Sequence, residues 1–355
     1  MLLLAAAVTS AAFSLLALAP APADARGKPW VGVRGNKLVD RAGKPIRLLG
    51  VNRPGFEYSC VEGEGLFDGP SDFAGIRAMK RWRIDAVRLP LNESCWLGHE
   101  WIDDGFSRSA YRAAVRSFVE LLERAGLYVI LELQWAAPGG NWATGIIPMA
   151  ADNSPRFWRE LATEYRDDRS VLFDLYNEPH DIGWDCWAWG CQVSDQWFGT
   201  YQTVGMWELV EVVRSTGARQ PIVLSGIDWA SDLSGWLEHR PPDPARALVA
   251  SNHTYEEFTP CYGLCRVAVR SVARHVPVIS GEIGEDDCNH DYIDRYMRWA
   301  DRQRISYLGW AWYVGSGCKP TLIENFAGRP TAFGVGLREH LRRLDRKRRG
   351  RGGHR

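Results

Sequence analysis

The chain has 355 residues, 46% of them hydrophobic and 24% charged, a soluble globular composition long enough for one large domain or two small ones. Lys plus Arg and Asp plus Glu each number 43, so the formal net charge is zero, and no nucleic-acid partner is expected for the main domain. The charge is uneven: residues 342–355 (RRLDRKRRGRGGHR) hold eight Lys/Arg and one Asp, a net +7 that the remainder offsets.

Residues 2–19 are apolar or small, and Ala21-Pro22-Ala23 and Ala23-Asp24-Ala25 each offer a small-x-small cleavage site. Residues 1–25 read as a secretory signal peptide, although the segment starts without Lys or Arg. An uncleaved membrane anchor is the other reading, because the apolar stretch approaches the shortest span of a bilayer. No later segment is apolar enough to cross one, so a secreted protein is expected, free of the membrane once the leader is removed.

Residues 30–341 read as one domain. The stretch VRGNKLVDRAG predicts a small hairpin with Arg34-Gly35-Asn36 at its turn. Apolar runs follow at 46–51, 84–89, 127–133, 171–176, 221–224, 247–250, 276–279 and 305–312. Most do not alternate with polar residues, as expected of strands buried on both faces of a parallel sheet. Helical spacing appears at 73–83, 109–125, 155–165, 196–215, 264–275 and 292–302. Ser71-Asp72, Ser154-Pro155 and Ser194-Asp195 supply start signals, and Gly126 and Gly217 stop signals. Eight strands alternating with helices predict an α/β fold, a (β/α)8 TIM barrel whose floor the hairpin closes. No Gly-rich dinucleotide or phosphate fingerprint follows any strand, which counts against an open doubly wound sheet. The basic tail, 342–355, has no apolar period and reads as a solvated, disordered end.

A barrel places its chemistry at the C-terminal ends of the strands. Glu178 ends the fourth run in VLFDLYNEPH, and Glu282 ends the seventh in VPVISGEIGE. Two acids on strands facing each other across a barrel mouth are what cleavage of a glycosidic bond requires: one protonates the leaving oxygen while the other meets the cationic sugar. The bland alternative makes each a buried partner of an arginine.

YNEP after the fourth strand, SGE after the seventh, Arg88 in VRLP on the second and His253-x-Tyr255 on the sixth resemble glycoside hydrolase family 5, the cellulase family. GNKLVDRAGKPIRLLGVN is similar to that family's opening segment, and the resemblance covers roughly residues 30–340. It implies Glu178 as general acid/base and Glu282 as nucleophile, with retention of configuration. Arg88 is expected to lower the Glu282 pKa, and Asn177 to hydrogen-bond the sugar 2-hydroxyl. Tyr255 is expected to donate to Glu282, and His253 to touch Glu178 or the sugar. Trp312, in GWAWY, is expected to floor the subsite of the distorted sugar, with Trp310 of the same parity equally suited to filling the barrel. Where the family presents a histidine on the third strand this chain has Gln134, which can bind a hydroxyl but carries no charge. That puts carry-over of sugar preference in doubt.

Seventeen tryptophans crowd the loops, among them Trp135 and Trp187, and indole faces suit pyranose rings; plugging long loops is their structural alternative. Eight cysteines suit an oxidising compartment, and spacing alone does not choose their connectivity. Cys186-x4-Cys191 and Cys261-x3-Cys265 do not form a zinc pattern, and no metal or cofactor is expected. All eight fall in loops at one barrel face, and the expected pairing is 60–95, 186–191, 261–265 and 288–318, tying each loop to itself or its neighbour. The expected protein is a monomeric retaining β-glycosidase acting on an oligo- or polysaccharide such as a β-glucan or mannan. Exo action on short glycosides, or a catalytically idle carbohydrate-binding barrel, are the alternatives.

Overall fold

In the computed structural model, which describes residues 28–98, 106–315 and 317–352, eight parallel strands close into a barrel in chain order. They are Leu49–Asn52, Ala86–Asn92, Tyr128–Trp135, Val171–Asp174, Ile222–Ser225, Leu248–Tyr255, Val278–Gly284 and Ser306–Gly309. Closure is made where Tyr307 pairs with Leu49. Each strand falls in or beside one of the apolar runs, because a strand covered by helices outside and by barrel contents inside has no wet face.

The barrel contents change character with height. One inward layer is apolar, with Leu48, Ala86, Ile130, Leu172, Val223, Val249, Ile279 and Leu308 packed together. Val31 and Leu38 of the N-terminal hairpin (Gly32–Arg34 and Lys37–Val39, with Gly35 at φ +57°) join it and seal the floor. Two residues further along the second, third and fourth strands the same inward parity carries Arg88, Glu132 and Asp174, all buried. A charged layer thus sits directly beneath the barrel mouth.

Helices Phe73–Arg81, Arg108–Arg124, Ser154–Tyr165, Met206–Ser215, Gly263–Val272, Asp291–Gln303 and Ala332–Gly352 wrap the outside. Asp72 caps the first by accepting from Gly75 N at 2.9 Å, and Ser107 caps the second. The helix expected over 196–215 begins only at Met206. Upstream, Gln192–Asp195 and Gly199–Gln202 form an antiparallel hairpin instead. Asp195 Oδ1 accepts from both Trp197 N and Phe198 N, and Gly199 takes φ +69°, so a side chain that resembled a helix cap builds a tight turn. After the fifth strand the outer helix shrinks to one turn, Trp236–His239.

The segment expected to be disordered from 342 continues the last helix to Gly352. Leu337 and Leu341 anchor that helix in the core, and Arg349 pairs with Asp345 one turn back at 3.0 Å. The segment read as a leader, 1–25, lies outside the described residues. Among those described, no helix is long and apolar enough to cross a membrane. Disulfides join Cys60 to Cys95, Cys186 to Cys191, Cys261 to Cys265 and Cys288 to Cys318, the expected pairing.

Candidate active site

Glu282 projects from a strand whose register shifts on both sides, against the sixth strand between Asn252 and His253 and against the eighth between Ser280 and Ile283. Such irregularities re-aim side chains at barrel rims. Gly281 is required there: a Cβ would lie 2.7 Å from Ser251 Oγ and 2.8 Å from His253 Nε2. Glu178 follows the fourth strand, on backbone held across the mouth by Leu175 N donating to Val223 O and Asn177 N to Leu133 O, both at 3.1 Å. These two strand ends converge. An oxygen of Glu178, an oxygen of Glu282 and a ring nitrogen of His253 all lie within 4.8 Å of one another.

Arg88 organises the floor of this site. From a fully buried side chain it donates through Nε to Asp174 Oδ2 at 2.8 Å, through Nη1 to Glu282 Oε1 at 3.0 Å and Asn52 Oδ1 at 3.1 Å, and through Nη2 to Asn177 Oδ1 at 2.9 Å. Glu132 Oε2 stands 3.6 Å from Nη1. Burial alone would lower the Arg88 pKa, but Glu132, Asp174 and Glu282 together raise it, so the guanidinium stays charged.

The two glutamates differ in their surroundings. Burial pushes Glu178 up to about 7, against the weaker pull of Arg88 and His180. Burial also raises Glu282 above the ordinary carboxylate value, while His253, Arg88 and the Tyr255 hydrogen bond act against it and Glu178 adds to it. Arg88 lowers the Glu282 pKa as expected, but burial outweighs it and the net shift is upward. Of the pair, Glu282 is the better stabilised anion: Arg88 and the Tyr255 hydroxyl both donate to it, whereas Glu178 has His253 Nδ1 at 2.8 Å. His253 itself is lowered to about 4 by burial and is neutral near neutral pH. Glu178, His253 and Glu282 could also supply metal ligand atoms, as could Glu256, Glu285 and Asp287 nearby. At the first group a cation would compete with Arg88 for Glu282.

A cavity of about 780 Å³ opens above the pair, lined by Gln134, Trp229, Tyr255, Phe258, Trp310 and both glutamates among others. Trp310, not Trp312, faces it. Trp312 has no exposed surface and packs edge-on against Trp82 with ring centroids 4.9 Å apart. Two residues of equal parity thus differ in burial, Trp310 at the cavity and Trp312 within the core. One further substrate-binding expectation is also corrected: Trp187 is fully buried and donates through Nε1 to Ser225 O, plugging the long fourth loop. Trp135 is half-buried, its ring centroid 6.4 Å from that of Tyr58. Gln134 does reach the cavity.

Sequence reading passed over Glu132, Asp174 and Trp229. An acid at inward parity inside LELQ and FDLY was the available signal for the first two. Trp229 belongs to three consecutive left-handed residues, Asp228, Trp229 and Ala230, at φ +55°, +56° and +57°. Such conformations cost on the order of 1–3 kcal/mol each and persist only where surrounding contacts impose them. Here Trp229 N donates to Pro179 O at 3.1 Å and His253 N to Ala230 O at 3.0 Å, locking the turn to both sides of the site.

Barrel and site together define a (β/α)8 protein with two carboxyls brought close together at the barrel mouth. The sequence profile of the cellulase family, glycosyl hydrolase family 5, matches residues 39–316. The chain belongs to that family. It is 23% identical over 302 residues to an endoglucanase of a Microbulbifer species, covering 78% of this chain and 50% of that protein. With an endoglucanase of Paenibacillus polymyxa it shares 26% over 267 residues, 68% of this chain and 64% of the relative. The chain thus spans about half to two-thirds of the length of these relatives. In fold it is similar to a β-glucanase of Saccharophagus degradans, with a TM-score of 0.68 and 18% identity over 90% of this chain and 94% of that one.

Proposed function

We propose that the protein is an exported, retaining β-glycosidase that cleaves β-linked glycans, with an endoglucanase-like preference for glucan or mannan chains. The observation that carries this reading is the convergence of Glu178 and Glu282, with oxygens within 4.8 Å and unequal surroundings. Retaining glycosidases hold their carboxyls about 5–5.5 Å apart.

In the first step ionised Glu282 attacks the anomeric carbon while Glu178 passes its proton to the departing glycosidic oxygen. The bond to the leaving group breaks and a glycosyl ester forms on Glu282. In the second step Glu178, now a carboxylate, takes a proton from water as that water attacks the same carbon, releasing the sugar and restoring Glu282. Arg88 and Tyr255 hold Glu282 as the anion that must attack. Asn177 is fixed through its Oδ1 by Arg88, and its Nδ2 has no partner among the described residues, which suits it to the sugar 2-hydroxyl. Trp310 and Gln134, which line the cavity beside both glutamates, would contact the sugar that becomes cationic. Four disulfides, set at the loops of the catalytic face, support an exported protein, and a monomer suffices because one chain supplies every named group.

The test is hydrolysis of aryl β-glycosides, β-glucans and mannans by the wild type beside Glu178→Ala and Glu282→Ala. Activity in the wild type alone, with products of retained anomeric configuration by NMR, is expected. Equal behaviour of the three proteins, or inverted product, would defeat the reading.

A further inference from the structure

A second cavity, of about 680 Å³, adjoins the catalytic one, and Ile146 and Trp229 line both. Its walls come from His180 and Asp181, just past Glu178, and from the hairpin Gln192–Asp195 with its turn through Gln196 and Trp197. None of its described lining residues belongs to the loop that follows Glu282.

This wall is built to stay open and ordered. Trp229 stands at the junction with its ring stacked on His180, centroids 3.7 Å apart and planes 8° from parallel. Cys186–Cys191 ties the short helix Trp184–Trp189 to the start of the hairpin, and Asp195 fixes the hairpin turn through its two backbone hydrogen bonds. At that turn Trp197 is 79% exposed, an indole with almost no packing of its own. Gln192, Ser194 and Gln196 add uncharged donors and acceptors around it. An open indole face beside amides and a hydroxyl matches a pyranose ring, which has apolar C–H faces and a rim of hydroxyls.

Direction follows from the chemistry. The acid protonates the oxygen that departs with the leaving group, so the leaving group lies on the Glu178 side of the scissile bond. The second cavity is reached past the loop of Glu178. We propose that it binds sugar units of the leaving group beyond the one attached to the scissile oxygen, so that the preferred substrate is a β-linked chain continuing several units past the cleaved bond. This rests on the glycosidase reading above.

The test compares two substrates of one sugar and linkage, taken from whichever of the gluco-, manno- or xylo-series the wild type hydrolyses: a linear hexasaccharide and a 4-nitrophenyl β-glycoside, whose small leaving group cannot reach the hairpin. Trp197→Ala, and Gln192→Ala combined with Gln196→Ala, should each lower kcat/KM on the hexasaccharide about tenfold. On the aryl glycoside they should leave it within about twofold of wild type, which also reports intact folding. The bonds cut in the hexasaccharide should shift toward its reducing end, where fewer leaving-group units are needed. Unchanged hexasaccharide kinetics in both variants, or equal losses on both substrates, would overturn the proposal while leaving the glycosidase reading in place. Inactivity of the wild type on every series would overturn both.

Discussion

Arg88 and Glu282, 194 residues apart in the chain, meet at 3.0 Å beneath the barrel mouth, Arg88 fully buried and Glu282 nearly so at the base of the cavity. The same guanidinium holds Asp174 and Asn177, so its loss would leave several buried polar groups unmatched. Arg88→Met should destabilise the fold by about 3–5 kcal/mol, the range for removing one partner of a buried ion pair. Urea unfolding followed by tryptophan fluorescence measures this. Arg88→Lys keeps the charge but cannot bond all these partners at once, so its stability should recover only in part. In both variants Glu282 loses a stabilising donor, and the acid limb of the pH–rate profile should move to higher pH.

On the proposed mechanism the alkaline limb belongs to Glu178. A carboxyl raised to about 7 keeps its proton through mildly acidic pH and releases it as pH rises through that value. The first step needs the protonated acid, so kcat/KM should decline above about pH 7. In Glu178→Gln that limb should vanish. The residual rate should fall by about 10²–10⁴-fold on natural glycans and by less on aryl glycosides whose phenolate leaves without protonation. An alkaline limb retained in the Gln variant would assign the titration elsewhere.

Trp310 and Trp312, two residues apart, should separate cleanly. Trp312→Ala empties a fully buried site against Trp82 and should cost about 3–5 kcal/mol of stability. Trp310→Ala removes a cavity wall and should reduce kcat/KM about tenfold with a smaller stability change. Thermal unfolding paired with kinetics on one aryl glycoside distinguishes them, and the reverse pattern would restore Trp312 to the sugar.

Disulfide loss should scale with the loop closed. Removing Cys60–Cys95 or Cys288–Cys318, which close separations of 35 and 30 residues, should each cost about 3–4 kcal/mol on the chain-entropy account. Cys186–Cys191 and Cys261–Cys265 close only 5 and 4 residues and should matter less to global stability. Paired Cys→Ser variants, compared by denaturant midpoint, provide the measurement.

Much was decided locally. Unbroken apolar runs dictated strands buried on two faces, and the short helical stretches between them left a closed parallel barrel as the economical way to cover every strand. Strand-end position then singled out Glu178 and Glu282, because two acids at the ends of facing strands are harder to explain as arginine partners than either one alone. Other features depended on contacts between distant segments. Asp195 serves a helix cap or a hairpin turn equally well, and only the surroundings of 192–202 selected the turn. Alternation cannot tell Trp310 from Trp312, and only the packing of Trp312 against Trp82 and the place of Trp310 at the cavity separate them. The net direction of the Glu282 pKa is set by burial, which outweighs the opposing pull of His253, Arg88 and Tyr255 and exists only once the barrel closes. Sequence by itself marked Glu178 and Glu282 as candidates for the chemistry; tertiary structure decided their charge and their neighbours, because burial and shared partners arise only between strands far apart in the chain.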